Sequence, residues 1–274
     1  KDLPRVMLVA KMMGKDFDDL ADIKGEHAEL KEFIPVIEAE GIGRKGSIRP
    51  FNFTVNKGEV VGLTGLLGSG RSELVRAIYG ADKPDSGKIK VNGKEVKINS
   101  PLDAMKQGMA YLPEDRKVDG IVGDLSVRDN IILAAQVLRG FFRPFSKTQA
   151  NKFAEEYIKL LEIKTASADT PIKSLSGGNQ QKVIFGRWLE RSPQVFMMDE
   201  PTRGIDVGAK YEIYELIIKM AKEGKTIIVV SSEMPEILGI TNRIGVMSNG
   251  RLAGIVNTKE TNQEELLRLS AKYL

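Results

Sequence analysis

The chain of 274 residues has no cysteine. Disulfides, thiolate chemistry and cysteine-ligated metals are therefore excluded, and the chain suits a reducing compartment. Histidine is nearly as scarce. The single one, His27, lies in a polar stretch beside Glu26 and Glu29 and reads as solvated surface rather than a ligand. No apolar run approaches the roughly 18 residues of a membrane span, and no signal-peptide pattern is present. Charge of one sign is also missing: 41 basic and 37 acidic residues are interspersed for a net +4, the pattern of a mixed solvated surface and not of a nucleic-acid footprint. Hydrophobic residues at 42% and charged residues at 28% suffice for a buried core. There is no internal repeat or low-complexity tract.

The stretch around which the chain is organised is Gly65-Leu66-Leu67-Gly68-Ser69-Gly70-Arg71-Ser72, followed by Glu73. The apolar run Val60–Leu63 precedes it, and a helical pattern with Leu74, Val75 and Ile78 follows. Strand, glycine-rich loop, helix is an arrangement that turns backbone N–H groups inward and places a helix N-terminus at the loop, both suited to a polyphosphate. Ser72 stands where a hydroxyl would ligate Mg²⁺. One position departs from the phosphate-loop pattern: Arg71 replaces the lysine, keeping positive charge but changing its geometry. Alone, the loop also reads as a plain strand-to-helix turn.

Taken in order, residues 1–32 do not look like the start of a domain; Leu3–Met13 is compatible with a short amphipathic helix. Residues 33–42 and 47–55 read as strands, 59–64 as the strand feeding the loop, and 72–79 as the helix leaving it. Residues 87–96 form a hairpin on Asn92-Gly93. Ser100, Pro101 and Asp103 open a helix ended by Gly108, and 109–112 is a short buried strand. From Pro113 to Arg191 the pattern is mostly helical. Ser126 caps a helix to Arg139 with Asp129 completing a capping box. Ser146 caps another with Phe153, Tyr157, Leu160 and Leu161 on its apolar face, and 178–190 buries Val183, Ile184 and Trp188. Strands return at 194–198 and 226–231 around a helix over 207–223, a hairpin forms on Asn249-Gly250, and Asn262 caps a last helix. Strands alternating with helices imply a parallel sheet wrapped by helices, with a helical insertion in the middle.

Two further motifs carry chemistry. Val195–Met198 is an apolar strand ending in Asp199 and Glu200. An aspartate delivered beside a phosphate loop suits Mg²⁺ held through Ser72 and water, and Glu200 is positioned in sequence to polarise an attacking water. Leu175-Ser176-Gly177-Gly178-Asn179-Gln180-Gln181 offers a hydroxyl, two glycines and a helix N-terminus, a second phosphate-binding surface. A chain with one phosphate loop has no internal use for it, so it is expected to act in trans on a partner.

Together these motifs resemble the ATP-binding subunits of ABC transporters, over roughly Glu38 to Leu274. Glu114-Asp115-Arg116-Lys117 with Asp119-Gly120, and Pro201–Gly208 after the acidic pair, resemble ATPases of ribose, galactose and xylose importers, and specifically the second of their two fused ATPase domains. The resemblance implies an α/β P-loop NTPase of ABC type: a mainly parallel sheet core, an antiparallel β subdomain, and a helical subdomain over 113–191 within a nucleotide-binding domain over 33–274. Residues 1–32 would be a linker from a preceding domain. Two ATP molecules would be sandwiched between two ATPase domains. Residues Gly65 to Glu73 would cradle phosphates, Ser72 and Asp199 would serve Mg²⁺ with Glu114 beside them, and Glu200 would be the base. Ser176, Gly177 and Gly178 would contact ATP held by the partner. The implied partners are a second ATPase domain (fused or as a homodimer), a membrane permease and, indirectly, a sugar-binding protein outside the membrane. The implied place is the cytoplasmic face of the membrane and the implied cargo a monosaccharide, ribose first.

This chain has Arg71 for lysine, Glu114 for a γ-phosphate-sensing glutamine and Ser232 for a switch histidine, and no aromatic precedes Ser47 where adenine is stacked; Arg44 or Lys45 is nearest. Each replaced group is one aimed at the transferring phosphate, a loss of on the order of 10²–10³ in rate apiece. The expectation is a site that binds nucleotide poorly or hydrolyses it slowly, while the Leu175–Gln181 signature completes the site of the first, partner domain. The other readings are a non-hydrolysing interaction module, or an ABC-type head acting on DNA or ribosomes; the latter lacks its coiled-coil arms and basic insertions here.

Overall fold

The computed structural model describes residues 32–140, 142–189 and 191–274. Apart from Glu32, the expected linker, the helix at Leu3–Met13 and His27 lie outside the described residues.

Two sheets organise the rest. In the smaller, β1 (Pro35–Arg44) pairs antiparallel with β2 (Ile48–Asn56) on one side and with β4 (Ser86–Val91) on the other, and β5 (Lys94–Val96) completes the order β2-β1-β4-β5. Asn92 and Gly93 make the β4–β5 turn with φ of 51° and 74°, the paired positive values of a type I′ hairpin. The larger sheet has the order β10-β9-β3-β8-β7-β6, built from β3 (Val60–Gly65), β6 (Met109–Leu112), β7 (Val195–Asp199), β8 (Thr226–Val230), β9 (Arg243–Ser248) and β10 (Arg251–Asn257). All its neighbours are parallel except β9 and β10, which turn on Asn249-Gly250.

Eight α-helices are described: α1 (Arg71–Tyr79), α2 (Pro101–Lys106), α3 (Val127–Arg139), α4 (Lys147–Leu160), α5 (Gly177–Leu189), α6 (Val207–Lys222), α7 (Met234–Ile240) and α8 (Gln263–Ser270). Five of them start as capping chemistry dictates. The side chains of Ser100, Ser126, Ser146, Asp206 and Asn262 each accept a backbone N–H from the first turn. Two expectations need correction. Asp129 bonds the Ser126 hydroxyl and Arg128 instead of closing a box on the backbone; the box forms at Ser146 with Gln149. Leu160 does not join the apolar face of α4 but lies 56% exposed, because Ala150 and Ala154 take the packed stripe.

The central strands are apolar throughout because both faces of the sheet are covered. Alternation divides their side chains between two cores. Phe196, Met198, Ile227 and Val229 pack with α5 and α6, whereas Val195, Met197, Ile228 and Val230 pack with α1 and the antiparallel sheet. Continuing the alternation 195, 197, 199 brings Asp199 out on the α1 side, the same face as Tyr111 at the end of β6. Phe185 of α5 is fully buried in the first core, its ring 5.4 Å from that of Phe196. Truncation there removes a ring that nothing nearby can replace. Phe185→Ala is expected to lower the free energy of unfolding by about 3–5 kcal/mol in urea titration with an unchanged m-value.

Candidate functional site

The loop between β3 and α1 is held in shape by its own backbone. Ser69 N–H donates to the Leu66 carbonyl at 3.0 Å, and Gly250 N–H from the β9–β10 turn donates to the Ser69 carbonyl at 2.9 Å. Gly65 and Gly70 have φ of 152° and 99°. A Cβ on Gly65 would lie 2.3 Å from the Met247 carbonyl oxygen, so only glycine lets the strand turn into the loop at this approach. Leu67 projects into solvent at 95% exposure. Ser69 Oγ and Arg71 Nη1 in the loop, and Thr64 Oγ1 just before it, are buried side-chain polar atoms without a hydrogen-bond partner in the protein. Unmet polar atoms gathered at one loop are what a phosphate ligand would satisfy.

Ser72, in the first turn of α1, donates its hydroxyl to Asp199 Oδ1 at 3.0 Å, and Tyr111 donates to Oδ2 at 3.1 Å. The Tyr111 ring is held by Tyr79, centroid to centroid 5.1 Å. Burial pushes the Asp199 carboxyl up to about 7, the two hydroxyls offsetting this in part and the charges of Glu114 and Glu200 adding to it. A buried carboxylate and an adjacent hydroxyl are hard oxygen donors, the set that suits Mg²⁺ when phosphate oxygens supply other ligands.

Glu200 leaves the strand with φ of 48°, unusual for a residue with a side chain. Its backbone N–H donates to the Val230 carbonyl at 2.9 Å. The turn swings its carboxylate across the end of β8, where the Ser232 backbone N–H donates to Oε1 at 2.8 Å and the Ser232 hydroxyl to Oε2 at 3.2 Å. Arg71 Nη2 lies 3.6 Å from Oε1, with both side chains more than nine-tenths buried. Arg71 therefore turns its charge toward Glu200. Glu114 is drawn aside by an ion pair with Arg203 and acts on Asp199 only through its charge.

The signature, Leu175–Gln181, lies on a different wall. Ser176 is exposed just before α5; its Oγ accepts the Asn179 side-chain amide at 2.9 Å and its carbonyl the Gln180 N–H. Added Cβ atoms on Gly177 and Gly178 would fall 2.9 Å from Arg116 Nη2 and 2.6 Å from Ala209 Cβ. The nearest neighbours of this helix start are thus Arg116 and the 204–209 segment, not the Gly65–Ser72 loop. Arg116 fastens the arrangement, donating to Gln180, Gln181 and the Arg203 carbonyl.

Sequence reasoning brought Gly65–Glu73, Asp199 and Glu200 to one end of the sheet, and they meet there. It missed Tyr111 and the whole of α7, and it named Arg116 in a motif without giving it a contact. Tyr111 was legible as a strand residue of the same parity as Met109, but nothing local pairs it with Asp199, 88 positions away. Beside the loop is a cavity of about 470 Å³ lined by Arg44, Lys45, Ser47, Asp85, Asn249 and Arg251, among others. Its Arg44 is held by Asp82 at 3.0 Å.

The family described as ABC transporter matches residues 48–203. Over 272 residues the chain is 54% identical to the galactose/methyl galactoside import ATP-binding protein MglA of Treponema denticola, covering 97% of this chain and 52% of that protein. It is 44% identical to the fructose import ATP-binding protein FruK of Bifidobacterium longum (99% and 54% covered) and 43% identical to the ribose import ATP-binding protein RbsA of Clostridium perfringens (98% and 53%). The chain thus spans about half the length of these relatives. Among solved structures, a nucleotide-free ATP-binding cassette of an ABC transporter superposes with a TM-score of 0.71 at 21% identity over 81% of this chain and 91% of that one. A dimeric cassette bound to ADP and phosphate gives 0.70 at 21% identity over 82% and 100%. The two sheets, the loop between β3 and α1 and the helical part are accordingly those of the ABC ATPase cassette, and the chain belongs to the ABC transporter family.

Proposed function

We propose that the chain binds Mg-ATP on its own loop, hydrolyses it slowly or not at all, and lends its signature to the ATP site of a second cassette that drives monosaccharide import. The observation that carries this reading is the Arg71–Glu200 pair at 3.6 Å. The residues meant to receive phosphate and to activate water are turned toward each other, and Ser232 occupies both oxygens of the same carboxylate. Glu200 must be released from these donors before it can accept a proton from water.

Binding needs less. The loop backbone, the α1 N-terminus and the unpartnered Ser69 Oγ and Arg71 Nη1 suit phosphate oxygens. Ser72 and Asp199 would hold Mg²⁺, which supplies charge neutralisation at the phosphates; Glu114 would join them only by releasing Arg203. Ser176, Gly177 and Gly178 present their helix N-terminus outward, as donation to a partner's nucleotide requires. That partner is a second cassette, fused or separate. A permease and an external sugar-binding protein complete the assembly. No helix among the described residues is long and apolar enough to cross a membrane; the proposed place of the chain, beside a permease on the cytoplasmic face, follows from the import proteins it resembles. The names of relatives spread over galactose, fructose, arabinose and ribose; they support a monosaccharide, with ribose one member of the set.

Three outcomes follow. With the isolated chain, radiolabelled Mg-ATP should bind measurably while turning over at no more than about one-hundredth of a competent cassette. Arg71→Lys should raise that turnover about tenfold or more and Glu200→Gln should abolish it; fast turnover in the native chain that survives Glu200→Gln would discard the reading. In a protein containing both cassettes, Ser176→Arg should cut ATPase by about 10²-fold at unchanged stability. It is a cleaner probe than a bulky residue at Gly178, which would strike Ala209. The last concerns Asp199. Its native carboxyl titrates near 7, above its unfolded value, so its buried charge weighs against folding above that pH and is relieved as pH falls toward 4. Asp199→Asn should stabilise the ligand-free chain at pH 8 by on the order of 2 kcal/mol, the gain fading toward pH 4 in thermal scans, while Mg²⁺-dependent ATP affinity is lost.

A further inference from the structure

Glu236 is a buried acid that the proposed chemistry does not use. It lies in the first turn of α7 at 6% exposure. A glutamate in that turn ordinarily reaches back to its own N-cap. Here the N-cap is Glu233, whose side chain makes no capping bond, and the Glu236 carboxylate crosses to two other segments. Oε1 accepts the Thr202 hydroxyl at 2.8 Å, and Oε2 accepts the Ser231 hydroxyl. Ser231 Oγ in turn accepts the Glu233 N–H at 3.0 Å. Thr202 and Ser231 are themselves 1% and 0% exposed. The Tyr214 hydroxyl from α6 interacts with both Thr202 and Glu236.

These two segments are the ones that hold Glu200. Thr202 lies two residues beyond it, and Ser231 immediately precedes Ser232, which donates twice to its carboxylate. Within the core this is an expensive arrangement. The carboxylate has hydroxyl donors and, among the described residues, no ion pair, Lys210 acting on it only through its charge, and burial pushes it above the ordinary range. Apolar side chains in place of Glu236 and its hydroxyl partners together would fill the space at lower cost, whereas leucine at 236 alone would strand the Thr202 and Ser231 hydroxyls. Packing therefore does not account for the residue.

We infer that Glu236 is a positioning residue for Glu200, clamping the 200–203 turn to the 231–233 segment through Thr202 and Ser231. The assignment rests on the reading of Glu200 as the base. Without the clamp, the bonds between the turn that carries Glu200 at φ of 48° and the Val230–Ser232 segment, among the described residues, are its own backbone bond to Val230 and the two Ser232 donors, while Arg71, Glu114 and Arg116 reach the turn from other elements. Glutamine can serve in place of glutamate, because its amide accepts from one hydroxyl and donates to the other, whose rotor is free to turn. Leucine can serve neither.

The test is amide hydrogen exchange on the native chain, Glu236→Gln and Glu236→Leu, with Mg-ATP turnover measured on the same samples. In Glu236→Leu, exchange at 200–203 and 231–233 should accelerate about tenfold or more while the strand amides of β3 and β7 stay within about twofold. Glu236→Gln should remain within about threefold of native throughout. Where turnover is measurable, Glu236→Leu should lower kcat about tenfold with KM within about threefold, and Glu236→Gln should recover it. Uniform acceleration across the sheet, no local change, or glutamine behaving as leucine would each overturn the assignment. Where the native chain turns over too slowly to compare, exchange alone decides it. Undiminished turnover in Glu200→Gln is a different failure: it removes Glu200 as base and leaves the exchange result standing as a purely structural clamp.

Discussion

Arg71 and Glu200 face each other inside the protein, 3.6 Å apart and nearly free of solvent. Neither charge would be stable there alone, since an unpaired buried ion costs several kcal/mol. The pairing is imperfect: the distance is longer than a hydrogen bond, Arg71 Nη1 has no partner, and Ser232 supplies what Glu200 still lacks. Lysine at position 71 would carry a compact charge able to point along the loop, but the planar guanidinium presents a broad fork that reaches across to the strand end. Arginine in the loop thus engages the Glu200 carboxylate just past β7, and shares it with Ser232.

Those demands are met by elements drawn from distant parts of the chain. The alternation of a strand covered on both faces sends Asp199 toward Ser72 and Tyr111. The positive φ at the next residue sends Glu200 the other way, toward Ser232. Two adjacent carboxylates are thereby given separate environments, one with hydroxyl donors suited to a hard cation, the other with a cation and an amide. Their proximity raises the Asp199 carboxyl further. A ligand that neutralises this corner would relieve the cost of its own binding site; with the proposed Mg-ATP, affinity and stability of the ligand-free chain would pull in opposite directions at Asp199.

Most of the architecture was legible because local chemistry and global pattern agree. Ser100, Ser126, Ser146 and Asn262 announce helices that begin there, the two Asn-Gly pairs announce hairpins that turn there, and four apolar residues before Asp199 announce a strand buried on both sides. What escaped was long-range. Tyr111 on Asp199, Arg203 on Glu114 and Thr202 on Glu236 join positions 88, 89 and 34 residues apart, and no spacing rule connects them. Helix α7 escaped for a local reason: seven residues beginning Met-Pro-Glu carry neither a Ser, Thr, Asp or Asn cap nor enough turns for a period to emerge. Leu160 went wrong because alanines outcompeted a larger residue for the packed stripe, a matter of space that hydropathy does not encode.

The uneven degree of preservation between the loop and the signature has a physical reading. A phosphate loop can lose its lysine and still bind, since backbone N–H groups and the helix dipole supply most of the attraction. Hydrolysis is less forgiving, because it needs charges aimed at groups that exist only in the transition state. The signature has no such margin. A Cβ on Gly178 would strike Ala209 and one on Gly177 would crowd the Gly204 carbonyl and displace the end of Arg116, so this wall is tied to where the helix starts. Arg116 ties that start to the carbonyl of Arg203, three residues past Glu200. On the proposed reading, a cassette whose Glu200 is engaged by Arg71 and Ser232 and whose signature is fixed in place is better built to complete a partner's site than its own, and Arg116 links that signature to the turn that carries Glu200.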